Sequence, residues 1–238
     1  MTYGHLQLRS PWICGLLAAV VLLFAVAIGI MAGVPPVSRD ALTHHLAVPK
    51  LYLKHGGLVE LPEIAFSYYP MNLDLLYLVP LFFGNDILPK YIHFTFALLT
   101  AGLIYVYMKG RLGRGYGLAG VLLFLSLPVI VKLSTTVYVD LGLVFFAFAS
   151  LYFLMHWRED RFRWRYLILS AVFCGLALGT KYNGLLVFCL HTLFVAFISA
   201  EQAPVSVDKT GPALGGSRSG AFMRPLLYMG VYAGVALI

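Results

Sequence analysis

Long apolar stretches, separated by short polar segments, recur along the whole chain. A helix that crosses the hydrocarbon core of a bilayer needs about 20 mostly apolar residues. Seven stretches approach this length and predict membrane-spanning helices at 12–34, 91–108, 117–133, 141–155, 166–180, 184–200 and 226–238. The pattern therefore predicts an all-α polytopic membrane protein with about seven transmembrane helices.

Composition supports this interpretation, because 61% of the residues are hydrophobic and only 11% are charged. Ordinary soluble domains carry about 25% charged residues, so soluble enzyme folds and disordered chains are excluded. The three cysteines lie inside apolar stretches without the paired spacing of a metal site or a disulfide framework. The net charge of +7 does not indicate nucleic-acid binding, because basic residues at the ends of membrane helices explain it.

The segment 71–84 is apolar but short, and it contains Asp74 and Pro80. If it does not cross the membrane, the two basic clusters at 109–114 and 158–165 lie on the cytoplasmic side, as the positive-inside rule requires. Residues 35–90 then form one long external loop that carries amphipathic helices. We therefore expect most of the acidic and histidine chemistry on the external face.

The end of the chain predicts a loop and an unfinished span. Residues 201–224 are rich in Gly, Ser and Pro, which is typical of a flexible cytoplasmic loop. The last apolar stretch, 226–238, is shorter than a full crossing. The expectation is that 1–238 forms a single transmembrane domain, the amino-terminal part of a longer module, and that this piece alone is an incomplete catalyst.

The external loop begins with a helix that carries candidate chemistry. Ser38 suits an N-cap, Gly56 suits a stop, and Pro49 should kink the helix or divide it into two. Asp40 and His44 are four residues apart and share one helix face. A carboxylate beside an imidazole is suited to a general base or to a divalent-cation site. The alternative is an aspartate that only stabilises the start of its helix.

Two further charged residues stand at the predicted outer surface. Asp140 precedes a strongly apolar run, and a carboxylate near membrane depth is a functional candidate; the alternative is a helix-start carboxylate among the headgroups. Lys181 interrupts two apolar runs at an external turn and could hold a lipid phosphate as a point charge, or extend to the headgroups instead. Tyr69 precedes a proline, and its ordinary explanation is a residue of the membrane's aromatic belt.

The order of the motifs resembles the amino-terminal half of the GT-C polytopic glycosyltransferases. The nearest relatives would be the lipid-carrier-dependent type, akin to aminoarabinose transferases and protein O-mannosyltransferases. The motifs are, in chain order, DALTHHLAVPKLYLKHG, YYP, FFG, LSLPVIV, TTVYVD and GLALGTKYNG. Three positions depart from the pattern: Ala41 follows Asp40 where many members have a second acidic residue, and Tyr68 and Tyr69 stand where aminoarabinose transferases carry an acidic-basic pair.

The resemblance implies a function and a set of site residues. Such enzymes take a sugar from a polyprenyl phosphate or pyrophosphate and give it to an exported lipid, glycan or protein acceptor, here at a bacterial inner membrane. Asp40 and Asp140 would be catalytic and could also hold a divalent cation, Mg²⁺ or Mn²⁺. Lys181 matches a lysine of the family, and we expect it to bind the substrate together with His44 and Tyr69. The family thus predicts a lipid-linked sugar donor and membrane lipids as partners, and no nucleic acid.

Two alternative hypotheses, from other functional classes of protein, stay open. A transporter or flippase would use the same charged residues as a substrate or proton path, although transporters often show repeated halves and none is visible here. An inactive membrane fragment or structural subunit is the other alternative. The long loop before the second span favours an external active site.

Overall fold

The computed structural model describes residues 10–200 and 218–238. It is 79% helix, and no strand occurs among the described residues, which confirms the predicted all-α class. The α-helices are α1 (Pro11–Ala32), α2 (Ala47–His55), α3 (Asn72–Leu76), α4 (Leu78–Phe82), α5 (Leu88–Leu112), α6 (Arg114–Ser126), α7 (Pro128–Ser134), α8 (Asp140–Glu159), α9 (Trp164–Leu178), α10 (Gly184–Ala200) and α11 (Arg218–Ala236). A π-helical turn (Ala41–His45) and a 3₁₀ turn (Ala65–Tyr68) complete the loop between α1 and α5.

Three helices of the described chain, α1, α5 and α8, are long and apolar enough to cross a membrane, and α6 with α7 makes a fourth if the bent pair is one span. Most apolar side chains of α1 face outward, as expected of a helix in contact with lipid. Helices α9 and α10 are apolar but have 15 and 17 residues. The protein is therefore an integral membrane protein, and the full count of seven spans stays a prediction.

The segment between Asn72 and Phe82 is too short to span a bilayer. Helices α3 and α4 together cover roughly 16 Å at 1.5 Å per residue, whereas the hydrocarbon core measures about 30 Å. This length agrees with a segment that stays at one surface of the membrane and does not cross it. The segment packs at the end of the bundle where Leu73 lies against Gly142 of α8.

The expected continuous span at 117–133 is wrong in one respect, because a 68° bend separates α6 from α7. Leu127 has an extended backbone with ψ of 126°. The reason is Pro128, since the residue before a proline is disfavoured in the helical region. The bend directs the end of α7 towards the first turn of α8.

The long helices pack as two connected groups. Helix α5 packs against α6 and α8, and α8 joins α9, α10 and α11 around a core that contains Trp157 and Tyr232. At one end of the bundle, Arg111 of α5 forms an ion pair with Glu159 of α8. The two predicted basic clusters therefore lie at the same end, opposite to the loop that carries Asp40.

Candidate functional site

The helix ends and the first loop enclose a cavity of about 320 Å³ at the end of the bundle away from the basic clusters. Two hydrogen bonds to backbone carbonyls hold the parts together there. The side-chain Nζ of Lys90 in α5 donates to the carbonyl of Val34 at 2.6 Å, and the backbone amide of Asn72 donates to the carbonyl of Gly179 at 2.9 Å. The polar and aromatic lining residues are Asp40, His44, His45, Phe66, Tyr69, Asp74, Tyr138, Thr180 and Lys181. Four of the five predicted site residues thus line one cavity. The fifth, Asp140, does not line it but contacts Lys181.

The first loop is shaped by local sequence signals. The predicted division before Pro49 is confirmed: a π-helical turn ends at His45 and α2 begins two residues later. Pro49 has no amide hydrogen, which is tolerated in the first turn of α2 but would break a regular α-helix that continued from the preceding turn. In the wider turn the Leu46 amide bonds to the carbonyl of Ala41 at 2.9 Å. Such π-turns are frequent at functional sites, and here both histidines of the turn line the cavity.

Asp40 is an exposed carboxylate at the mouth of the cavity. Its Oδ2 accepts a hydrogen bond of 3.2 Å from the hydroxyl of Tyr138. Tyr138 precedes α8, so this bond joins the first loop to the second predicted external turn. The arrangement leaves the other carboxylate oxygen available to a substrate hydroxyl.

His44 lies in the same turn as Asp40, although its ring hydrogen bonds to the hydroxyl of Thr43 at 3.2 Å instead. The ring stacks on Phe66 with centroids 4.4 Å apart and planes inclined by 19°. Burial, and next the neighbouring His45, lower the pKa of His44 to about 4, against a smaller opposing effect of Asp40. His44 is therefore neutral at neutral pH and offers an aromatic face and a hydrogen bond.

Lys181 and Asp140 form an ion pair with 2.8 Å between Nζ and Oδ1. Asp140 is the first residue of α8, and Lys181 lies in the turn between α9 and α10. The pair is partly exposed, with 37% of the lysine side chain and 28% of the aspartate side chain accessible. The lysine is thus held at the cavity wall with part of its charge already balanced.

A buried histidine bonds to the backbone at the start of α8, next to Asp140. The Nε2 atom of His93 accepts a hydrogen bond of 2.9 Å from the Leu141 amide, and its Nδ1 donates to the carbonyl of Leu133 at 3.0 Å. The first bond satisfies one of the amides that a helix leaves unpaired at its start. The sequence assigned no role to His93, since a single histidine in an apolar stretch carries no local signal.

The sequence also missed a second pair inside the cavity, His45 and Asp74. The imidazole Nδ1 lies 2.8 Å from Oδ1 of Asp74, and both side chains are buried. Burial raises the pKa of Asp74, and its bond to His45 opposes this rise. Two signals were present: a histidine doublet in the loop and a lone carboxylate within an apolar segment, which is costly unless it has a partner.

Aromatic rings complete the wall of the cavity. Tyr69 lies edge-on to Phe66 at 5.4 Å and to Tyr182 at 4.8 Å between ring centroids. The hydroxyl of Tyr182 donates to the carbonyl of Tyr68 at 3.4 Å. Tyr69 therefore belongs to a packed aromatic group at the cavity and not to an isolated position in a membrane belt.

The described residues contain no group of three or more His, Cys, Asp or Glu side chains placed to hold a metal ion. Mg²⁺ is often held by one or two carboxylates together with substrate phosphates and water. Asp40 is accessible for such an arrangement, whereas Asp140 is already paired with Lys181. The expected divalent cation stays a prediction.

A helical bundle in the membrane, with carboxylates, a lysine and aromatic rings around a cavity at one surface, has the features of a membrane-embedded transferase. The model of the dolichyl-phosphate-mannose-protein mannosyltransferase family matches residues 70–236. The protein belongs to this family, and its resemblance to the GT-C glycosyltransferases is confirmed. No curated protein and no solved structure matches the chain. Asp74, Asp140 and Lys181 lie inside the matched region, and Asp40 precedes it.

Proposed function

We propose that the protein transfers a sugar from a polyprenyl-phosphate carrier to a hydroxyl-bearing acceptor of the cell envelope, with the cavity of Asp40 and Lys181 as its active site. The family supports a membrane glycosyltransferase that uses a lipid-linked sugar. The observation that supports the site is that the exposed carboxylate of Asp40 and the ammonium of Lys181 line one cavity at the ends of the helices. A donor whose lipid tail stays in the bilayer would present its phosphate at this level.

The proposed reaction needs a base and a cation. Asp40 takes the proton of the acceptor hydroxyl as its oxygen forms a bond to the anomeric carbon of the sugar. The bond from that carbon to the phosphate oxygen breaks, and the electron pair leaves with the polyprenyl phosphate. Lys181 lies where it can offset the charge that develops on this phosphate, and Asp140 fixes the lysine in place. Tyr138 holds the Asp40 carboxylate through its hydroxyl.

Binding of the sugar is assigned to the aromatic wall. His44 and Phe66 form a stacked pair, and Tyr69 packs edge-on beside them. Flat apolar rings with a few polar atoms are typical of small-molecule sites, in which the polar groups fix the orientation. In this proposal the sugar ring lies against these rings while its anomeric carbon faces Asp40.

We propose that the cavity opens to the external side of a bacterial inner membrane, within a single transmembrane domain over 1–238. The loop 35–90 is then external. Of the proposed cytoplasmic loop 201–224, residues 201–217 lie outside the described residues. Single cysteines introduced at the exposed positions His55, Glu63 and Arg163 test on which side of the membrane each loop lies. The first two should react with an impermeant reagent in intact cells and the third should not; the opposite result would invert the topology.

The activity is tested in membranes from cells that express the complete reading frame. Mannosyl and aminoarabinosyl polyprenyl phosphates and a nucleotide sugar are supplied in parallel. The expected result is transfer from a lipid-linked donor with release of polyprenyl phosphate, and none from the nucleotide sugar. Loss of transfer in EDTA, restored by Mg²⁺ or Mn²⁺, would support the cation. Movement of the intact donor across vesicles without cleavage would contradict the proposal and favour a flippase.

A further inference from the structure

The buried pair of His45 and Asp74 has no part in the reaction described above. His45 closes the π-helical turn of the first loop, and Asp74 lies in α3, 29 residues further along. The side chains are 8% and 5% accessible and their polar atoms are 2.8 Å apart. Both residues line the cavity that contains Asp40 and Lys181.

A purely structural role explains this pair poorly. Burying a charged or strongly polar pair costs desolvation, and replacing such pairs by apolar side chains is often neutral or stabilising. The surrounding residues Leu46, Tyr77 and Val137 form an apolar core, so apolar packing was available at this position. In metal sites and in catalytic triads, a carboxylate holds one nitrogen of a histidine while the other nitrogen meets the metal or the reacting group.

The geometry of the ring indicates which atom serves the cavity. Nδ1 is directed to Asp74, and Nε2 has no hydrogen-bond partner among the residues that the structure describes. The edge of the ring also approaches Tyr138, at 5.5 Å between centroids, and Tyr138 is the residue that holds Asp40. A hydrogen bond from Nε2 would therefore enter the same space that the reacting groups share.

The charges of the cavity call for one more donor. The leaving phosphate gains negative charge during transfer, and Lys181 is partly balanced by Asp140 at 2.8 Å. His44 is neutral and bonds to Thr43. His45 lines the same cavity as Lys181, and its Nε2 is left for a ligand because Nδ1 is bonded to Asp74.

On the basis of the proposed function, we propose that His45 binds the phosphate of the lipid-linked donor through Nε2–H, with Asp74 as the positioning residue that orients its ring. In this arrangement Asp74 accepts the Nδ1–H and holds the ring, and a proton on Nε2 is directed at the phosphate. Lys181 and His45 would then hold the phosphate from two sides, which fixes the anomeric carbon relative to Asp40.

Two matched substitutions separate this role from a structural one. His45→Asn keeps a donor near the position of Nδ1, where it can still bond to Asp74, but it removes the group at Nε2. His45→Gln keeps a donor near the position of Nε2 and loses the bond to Asp74. Each variant of the full-length protein is purified in detergent, its thermal unfolding is recorded, and its binding of polyprenyl phosphate is compared with that of the unphosphorylated polyprenol.

The expected result is that His45→Asn weakens binding of polyprenyl phosphate by about 10- to 100-fold, the range of a lost hydrogen bond to a charged group. His45→Gln should bind polyprenyl phosphate more tightly than His45→Asn but less tightly than the parent, because it keeps a donor and loses the bond to Asp74. Polyprenol binding should not change in either variant. The reverse order, or unchanged phosphate binding by His45→Asn, would overturn the proposal. If neither variant yields folded protein, Asp74→Asn is tested by the same measurement. Weaker binding of polyprenyl phosphate with unchanged binding of polyprenol would support the proposal. Unchanged binding of polyprenyl phosphate would contradict it.

The binding assay keeps this inference apart from the proposed function. If the parent protein binds polyprenyl phosphate but transfers no sugar from any donor, the proposed function fails while the role of His45 stands. If transfer occurs and His45→Asn binds polyprenyl phosphate as the parent does, the role of His45 fails alone.

Discussion

Two groups of polar side chains, one at the outer cavity and one inside the helical bundle, use similar residue types in opposite ways. In the bundle, the Ser150 hydroxyl lies 3.0 Å from Ser170, 2.9 Å from His191 and 3.0 Å from Tyr232. These residues come from α8, α9, α10 and α11, and all four are buried. At the cavity, Asp40 and His45 each have one side-chain hydrogen bond, and both line the cavity.

The difference follows from the solvent around each group. Within the hydrocarbon, an unpaired polar group costs several kcal/mol, so the bundle cluster must close on itself and it joins four helices. At the outer surface, water satisfies atoms that the protein leaves open, and those atoms can later exchange water for a substrate. A closed network therefore indicates stability, and an open one indicates binding or catalysis.

The largest expected effect is that of Asp40→Asn, which keeps the size of the side chain and removes its charge. Loss of a positioned general base should lower sugar transfer by about 10²- to 10⁴-fold, with no change in expression or thermal unfolding. The control is Asp86→Asn, which removes an exposed carboxylate of the same loop and should transfer normally. Near-normal transfer by Asp40→Asn would remove this residue from the mechanism.

The ion pair of Lys181 and Asp140 has a matched counterpart on the surface. Lys50 and Asp86 also lie 2.8 Å apart but are more exposed and outside the cavity. Lys181→Gln should reduce transfer by about 10- to 100-fold through the lost charge on the phosphate. Lys50→Gln should have little effect, because exposed pairs contribute about 0–1 kcal/mol. Equal activities of the two variants would show that the position of the lysine does not matter.

Substitutions in the bundle cluster should lower stability and leave sugar transfer nearly unchanged, the reverse of substitutions in the cavity. Ser150→Ala removes the hydroxyl that three side chains share, and it should lower stability by about 0.6–2 kcal/mol. The kcat of transfer should stay within about 2-fold, since no atom of the cluster reaches the cavity. Thermal unfolding in detergent measures the first effect. The control is Ser126→Ala, which alters an exposed hydroxyl bonded only within its own helix. A larger loss of kcat in Ser150→Ala would contradict the assignment of the bundle cluster to stability and of the cavity to catalysis.

The smallest effect concerns the pH dependence of stability at the cavity. The pKa of His44 is about 4 in the folded protein against 6.5 for an ordinary histidine, so the unfolded chain binds more protons between these values. Stability should therefore fall as the pH drops from 6.5 to 4. His44→Gln should flatten this part of the profile, measured as unfolding temperature against pH, whereas His55→Gln at an exposed position should not. An unchanged profile in His44→Gln would assign the acid sensitivity elsewhere.

Several features could be predicted because their signals are local. Apolar length and composition determined the helical membrane class, and Pro49 and Gly56 determined where the first external helix divides and ends. The positions of Asp40 and Lys181 at predicted outer turns, together with the order of motifs, indicated the family. Hydropathy and turn chemistry act within a few residues, so a single sequence is enough to detect them.

The remaining features depended on packing between distant segments. The partners in the bonds of His45 to Asp74, Lys181 to Asp140 and His93 to Leu141 are 29, 41 and 48 residues apart. The sequence alone identified Lys181 and Asp140 as candidates but did not pair them, and it left His45 and Asp74 without a site role. Such pairs form only when helix ends meet at one surface, and the way those ends meet is decided by side-chain packing along the whole bundle.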